Sequence, residues 1–219
     1  MWYMACVLVC WPWLARWRYA TWLENFHFLW ITPLGEIDII EGVHNQLTNQ
    51  YTLHASADCI LPKVSEDTYL AKLLGTTCTS SPGANSGCAY IDTDHRTYGK
   101  GFNLAQGGVF AHLWNDAGVT MWRFFRDSIP ADITAKKPNP STWGTPAAIF
   151  PSHSCDMKSH FFNHSLILDI SLCGDYAGSA YANSGCPGTC ADAVANSTNF
   201  NSEPRLWIDI VLMLNNYSF

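Results

Sequence analysis

Alternation of apolar and polar positions runs through the chain and predicts strands. Leu166, Leu168, Ile170 and Leu172 alternate with Ile167, Asp169 and Ser171, which predicts a strand over 165–172 with one buried face. Leu206, Ile208, Ile210 and Leu212 alternate with Trp207 and Asp209 and predict another over 205–212. Val109 to Trp114 and Val119 to Phe125 form two more, joined by Asn115-Asp116-Ala117-Gly118, a hairpin signal. Five of the eleven prolines fall between Pro130 and Pro151 and predict a long loop. Thr189 to Ala195, after Pro187-Gly188, is the one short helix expected. No internal repeat, low-complexity tract or linker divides this body, so the pattern is all-β in one domain.

One strand departs from simple amphipathy. Glu36-Ile37-Asp38-Ile39-Ile40-Glu41, bracketed by Gly35 and Gly42, carries three carboxylates in six residues. Side chains along a strand alternate faces, so Glu36 and Asp38 share one face while Ile37 and Ile39 share the other. Glu41 has the wrong parity by one residue. A β-bulge at Ile39-Ile40 restores it to the carboxylate face, and bulges often re-aim side chains in this way. The isoleucine face then buries and the acids line an exposed concave surface. Retaining glycoside cleavage needs a carboxylate nucleophile and a carboxylic acid about 5–5.5 Å apart. A third carboxylate between them can hold a shared proton, keep Glu41 protonated through like-charge repulsion and fix rotamers. The same spacing also fits a solvated strand edge kept polar against edge-to-edge pairing.

The run GEIDIIEGVHNQ, followed by YTLHAS, resembles the catalytic strand and its neighbour in glycoside hydrolase family 16. The resemblance is closer to the fungal-type endo-β-1,3(4)-glucanases, or laminarinases, whose bulged E-x-D-x-x-E form it shares. It continues through SGCAY, YGKGFN–GGVFA, IPADI, STWGTPAAIFP, SCDMKSHF, LCGDYAG and GCPGTCADAV, from about Gly35 to about Phe200. It implies a β-jelly-roll sandwich, concanavalin-like, with the glucan cleft on the concave sheet. It also implies endo-hydrolysis of β-1,3 or mixed β-1,3-1,4 glucans by double displacement, without cofactor or metal. By the same resemblance Glu36 is the nucleophile, Glu41 the acid/base and Asp38 the helper between them. His54 matches a histidine facing the carboxylates, with a buried histidine satisfied by backbone as the alternative. Trp143 matches a cleft-side position able to stack on a sugar ring, with a core tryptophan as the alternative. Departures include Tyr176, where the family commonly carries Trp after Cys-Gly-Asp, and Leu113, Trp114 and Trp122-Arg123-Phe124-Phe125.

The first 34 residues read differently and hold six of the ten tryptophans: Trp2, Trp11, Trp13, Trp17, Trp22 and Trp30. Thr21-Trp22 is the nearest echo of the family's Gly-Thr-Trp-Pro approach, whose Trp lines a sugar subsite. The expected division is therefore an anomalous head, 1–34, and a partial catalytic domain, 35–219, with the sandwich incomplete on its N-terminal side. Trp2 to Leu14 is apolar but lacks the basic flank and small-residue cleavage site of a signal peptide, and it is too short to span a membrane.

A net charge of −6 argues against nucleic acid and anionic membranes and leaves a neutral polysaccharide, β-glucan, as the expected partner of a monomer. Nine cysteines, none spaced as a zinc or redox site, predict disulfides and an extracellular, secreted protein. Seven lie in the body, an odd number that leaves one unpaired, which fits a mate in missing upstream sequence. Sequons occur at Asn163, Asn196 and Asn216, and Asn196 stands in a polar loop. Two rival readings remain: an inactive fragment or carbohydrate-binding remnant, and a glucan transglycosylase sharing the covalent intermediate.

Overall fold

The structure, a computed structural model, describes residues 34–164, 172–196 and 198. Residues 165–171 of the strand expected over 165–172, the strand expected over 205–212, Trp22 with the rest of the head up to residue 33, and the Asn216 sequon lie outside the described residues, while Leu172 is exposed and stands in no strand.

Strands β1 (Glu36–Glu41), β2 (Gln50–His54), β3 (Lys72–Gly75) and β4 (Cys88–Ile91) pair antiparallel in the order β1-β2-β4-β3. Strands β5 (Gly108–Asn115), β6 (Gly118–Phe125) and β7 (Ala148–Pro151) form a second antiparallel sheet in sequence order. The hairpin expected at Asn115–Gly118 joins β5 to β6, with Asn115 facing Gly118 in register. Gly118 sits at φ +133, and a Cβ there would lie 2.1 Å from the Phe150 carbonyl on β7, so no side chain fits.

The core lies between the sheets. Ile37, Ile39, Tyr51, Leu53 and Tyr90 from the first sheet pack with Val119, Met121, Ala148 and Phe150 from the second. Burying each of the larger side chains contributes roughly 1.5–3 kcal/mol. Polar ties cross the same gap. The Tyr90 hydroxyl donates to the Ile149 carbonyl at 2.8 Å. Asp92, its side chain fully buried, accepts from Tyr51 at 2.9 Å and from Arg123 Nε at 2.7 Å. Arg123, a departure from the family pattern, thus sits on the core side of β6 and binds the sheets together.

Disulfides join Cys59 to Cys155, Cys78 to Cys88 and Cys173 to Cys190, and among the described cysteines Cys186 is free. Cys59–Cys155, with a sequence separation of 96, ties the end of β2 to the segment after β7.

Two expectations need correction. The helix after Pro187-Gly188 forms over Cys190–Ala195, where the Thr189 hydroxyl caps it by accepting from the Asp192 N–H. It is not alone. In chain order the helices are α1 (Gly99–Leu104), α2 (Ala131–Thr134), α3 (Met157–His160), α4 (Gly174–Tyr181) and α5 (Cys190–Ala195). The additional four run from four to eight residues, little more than two turns at most and too short to display a 3.6-residue apolar stripe. The proline-rich stretch is also no simple loop, because it holds α2 and β7. Pro151 closes β7, an outer strand of its sheet among the described residues, where a missing N–H costs no ladder bond. No helix among the described residues is long and apolar enough to cross a membrane.

Candidate active site

The bulge in β1 decides which way its acids point. Opposite β2, Glu36 faces His54 and Asp38 faces Thr52, but the next pair is Glu41 with Gln50. Three residues of β1 therefore span two of β2, and the extra one lies at Ile39-Ile40. Gln50, Thr52 and His54 share one face of β2, because Tyr51 and Leu53 between them are fully buried in the core. Glu36, Asp38 and Glu41 stand on that same outward face.

A bulge strands backbone groups, and here a single side chain recovers them. The Asn49 amide donates to the Ile39 carbonyl at 2.9 Å, and its oxygen accepts from the Glu41 N–H at 3.0 Å. Asn49 is wholly buried, and its own N–H donates to Thr97 Oγ1 while its carbonyl accepts from the Asp92 N–H. The flanking glycines have local causes as well. Gly35 sits at φ +71 against His160 and Phe161, and a Cβ on Gly42 would meet the Tyr98 ring at 2.6 Å.

The acids are less open than the sequence suggests. Glu36 and Glu41 keep 8% and 7% of their surface accessible, and Asp38 only 1%. The expected exposed surface is therefore a recess. Ser80 and Gly87 close against His54 on one side, and Tyr176 on α4 reaches Gln50 on the other. The two end residues keep a small accessible area while the middle one keeps almost none.

Burial governs the proton affinities. Desolvation and then the neighbouring charge of Glu41 push Glu36 up to about 7, partly countered by a hydrogen bond with Asp38. Asp38 rises well above the ordinary carboxylate range, chiefly from burial and then from the charges of Glu36 and Glu41. Its Oδ1 is buried with no donor in reach. Two carboxylates bond to one another only when one is protonated, so the cluster holds a proton between Asp38 and Glu36. Glu41 is raised by burial, while hydrogen bonds from Thr52 and Gln50 pull the other way. Burial is thus the largest cause favouring a proton on Glu41, whose charge in turn raises Glu36 and Asp38.

His54 stands beside this pair. Its Nε2 lies 3.4 Å from Asp38 Oδ2 and its Nδ1 2.9 Å from Ser80 Oγ. Burial holds its pKa down to about 4, so the ring is neutral, with an N–H toward Asp38 and Nδ1 accepting from Ser80. Glu36, Asp38 and His54 also place three ligand atoms within 4.8 Å of one another, the grouping among the described residues able to hold a metal ion. The shared proton and the histidine N–H already account for these three groups, and we assign no ion to them.

Trp143 is not brought to the acids. Its indole packs edge-on against Trp122 and Phe124, and its Nε1 donates to Asp132 at 2.8 Å. Trp122 and Phe124 occupy the face of β6 opposite Val119 and Met121, which point into the core. Trp143 therefore lies beyond the second sheet, on the far side of the sandwich from β1. The WGTP motif could not reveal this, because the alternation of β6 decides which layer the loop covers. Gln50, Thr52, Ser80 and Asn49 escaped the sequence reading. Only the pairing register, with its unpaired Ile39 and Glu41 backbone groups, points to them.

A two-sheet antiparallel sandwich with a bulged three-carboxylate strand on an outward face defines a carbohydrate-active jelly roll. The comparisons narrow that class. Residues 7–205 match the sequence profile described as XgeA-like, catalytic GH16 domain, and the chain belongs to glycoside hydrolase family 16. It is 39% identical over 166 residues to a probable glycosidase of Schizosaccharomyces pombe, covering 74% of this chain and 39% of that protein. It is 37% identical over 147 residues to an endo-1,3(4)-beta-glucanase of Arthroderma benhamiae, covering 65% and 32%. The chain thus spans well under half the length of these relatives. Among solved structures, laminarinase 16A from Phanerochaete chrysosporium, holding beta-glucans in donor and acceptor sites, superposes with a TM-score of 0.73 at 32% identity. That match covers 90% of this chain and 63% of the other. An elongating family 16 beta-1,3-glucosyltransferase superposes with a TM-score of 0.70 at 31% identity, with the same coverage of 90% and 63%.

Proposed function

We propose that the chain is a catalytic domain of a retaining endo-β-glucanase acting on β-1,3 or mixed β-1,3-1,4 glucans. The observation that carries this reading is the bulge, which turns Glu36, Asp38 and Glu41 to one face and leaves its two ends accessible. Glu36 attacks the anomeric carbon, and the glycosidic C–O bond breaks as Glu41 gives its proton to the leaving oxygen. Glu41, now ionised, takes a proton from water, and the hydroxide formed releases the sugar from Glu36. Asp38 donates to Glu36 and stabilises its ionised form before attack. His54 orients Asp38 across the 3.4 Å between Nε2 and Oδ2. We assign this chemistry to residues 35–219. The name of the Arthroderma relative, an endo-1,3(4)-beta-glucanase, supports the glucan assignment.

Three disulfides support an extracellular site of action, where such bonds persist. The decisive measurement is reducing-sugar release from laminarin by this chain and by Glu36→Gln. Release by the first and none by the second is expected. Equal release by both would remove Glu36 from the mechanism, and products longer than the substrate would mark glucan transfer instead.

A further inference from the structure

We propose that Gln50 is a positioning residue for Glu41, held in its working orientation by Tyr176, and that it fixes the transferable proton on Glu41 Oε1. The inference rests on the acid/base reading of Glu41 above. Two donors converge on the other oxygen. Thr52 Oγ1 donates to Glu41 Oε2 at 2.6 Å, and Gln50 Nε2 donates to the same atom at 2.9 Å. A carboxyl oxygen has two lone pairs, and both of those on Oε2 are engaged. A proton on Glu41 must therefore sit on Oε1.

The arrangement works only with the Gln50 amide turned one way round. Turned over, its carbonyl would face Glu41 and accept the proton that the reaction needs. The bonds from Gln50 Nε2 to Glu41 and to Thr52 oppose that turn. The second N–H of Gln50 Nε2 donates to Thr52 Oγ1 at 3.0 Å, whose own O–H is committed to Glu41. The Tyr176 hydroxyl donates to Gln50 Oε1 at 3.3 Å and so satisfies the acceptor end of the amide. Tyr176 is 40% exposed and forms the solvent side of the recess, so the relay runs from the recess wall to the acid. Among the described residues, the titratable groups that feel the charge of Glu41 are Glu36 and Asp38 on β1 and Tyr176 on α4, with His54 on β2 beside Asp38.

The test compares two substrates through kcat/KM, which reads the glycosylation step. Laminarin departs as a sugar alkoxide and needs a proton. A dinitrophenyl β-glucan oligosaccharide departs without one. Gln50→Ala should lose about 10- to 100-fold on laminarin, the worth of one hydrogen bond to a charged group, and less than about threefold on the aryl glycoside. The alkaline limb of its laminarin pH profile should move upward, because one donor favouring ionised Glu41 is gone. Tyr176→Phe should move both readouts in the same direction by less, and it carries the test should Gln50→Ala not fold. Equal losses on both substrates with an unmoved alkaline limb would overturn the proposal. Glu41→Gln separates this failure from failure of the acid/base reading, since it should cleave only the aryl glycoside. A Glu41→Gln variant that still cleaves laminarin would sink both.

Discussion

Replacing Asn49 by Ala tests whether one buried amide holds the bulge open. The change removes the donor to the Ile39 carbonyl and the acceptor of the Glu41 N–H, two groups that the bulge leaves without a strand partner. A buried backbone group left unmade costs ~1–3 kcal/mol. Two of them set a range of about 2–6 kcal/mol. A water entering the vacated space has two polar partners and would recover part of this, so about 2–4 kcal/mol is expected. For a domain of this size that lowers Tm by on the order of 5–15 °C. Asn49→Asp should lose at least as much, because it keeps the acceptor for Glu41 but sets a carboxylate oxygen against the Ile39 carbonyl. Thermal unfolding by circular dichroism gives the energy, and hydrogen exchange at the Glu41 amide reports the bulge itself. A Tm within about 2 °C of wild type, with the Glu41 amide still protected, would refute the clip.

Two other perturbations follow from the buried charges. The folded pKa of Glu36, about 7, lies above its ordinary 4.5, so between those values the folded chain keeps a proton that the unfolded chain releases. Its contribution to stability is full below pH 4.5 and is lost as pH rises through 7. Glu36→Gln should therefore gain on wild type by up to about 3 kcal/mol between pH 4 and pH 8 in urea titrations; a constant difference across that range would contradict it. Neutral His54 behaves alike in both proteins and cancels. Arg123→Leu leaves Asp92 buried with only the Tyr51 hydroxyl and the Asp94 N–H as donors. It should cost about 3–5 kcal/mol, seen as a fall in the urea midpoint at constant slope; a loss below about 1 kcal/mol would mean that water reaches Asp92.

Legibility differed between strands and their surroundings for a reason visible in particular residues. The β5–β6 hairpin announced itself because both strands run eight residues and the turn between them is Asp116-Ala117. β3, β4 and β7 run four residues each, too short to show an alternation. The bulge in β1 was legible from parity, since three acids could share a face in no other way.

From the order of its residues alone, the chain determined that β1 carries three acids needing a bulge, that its isoleucines bury, and which family it resembles. Those properties depend on neighbours along the backbone. Tertiary structure decided that Asn49 holds the bulge, that Gln50 and Thr52 crowd one oxygen of Glu41, that Asp38 lies fully out of solvent and that Trp143 covers the opposite side of the sandwich. Each of these depends on which strand lies beside which and in what register. A shift of one residue in that register exchanges the faces, and no local pattern of apolar and polar positions records it.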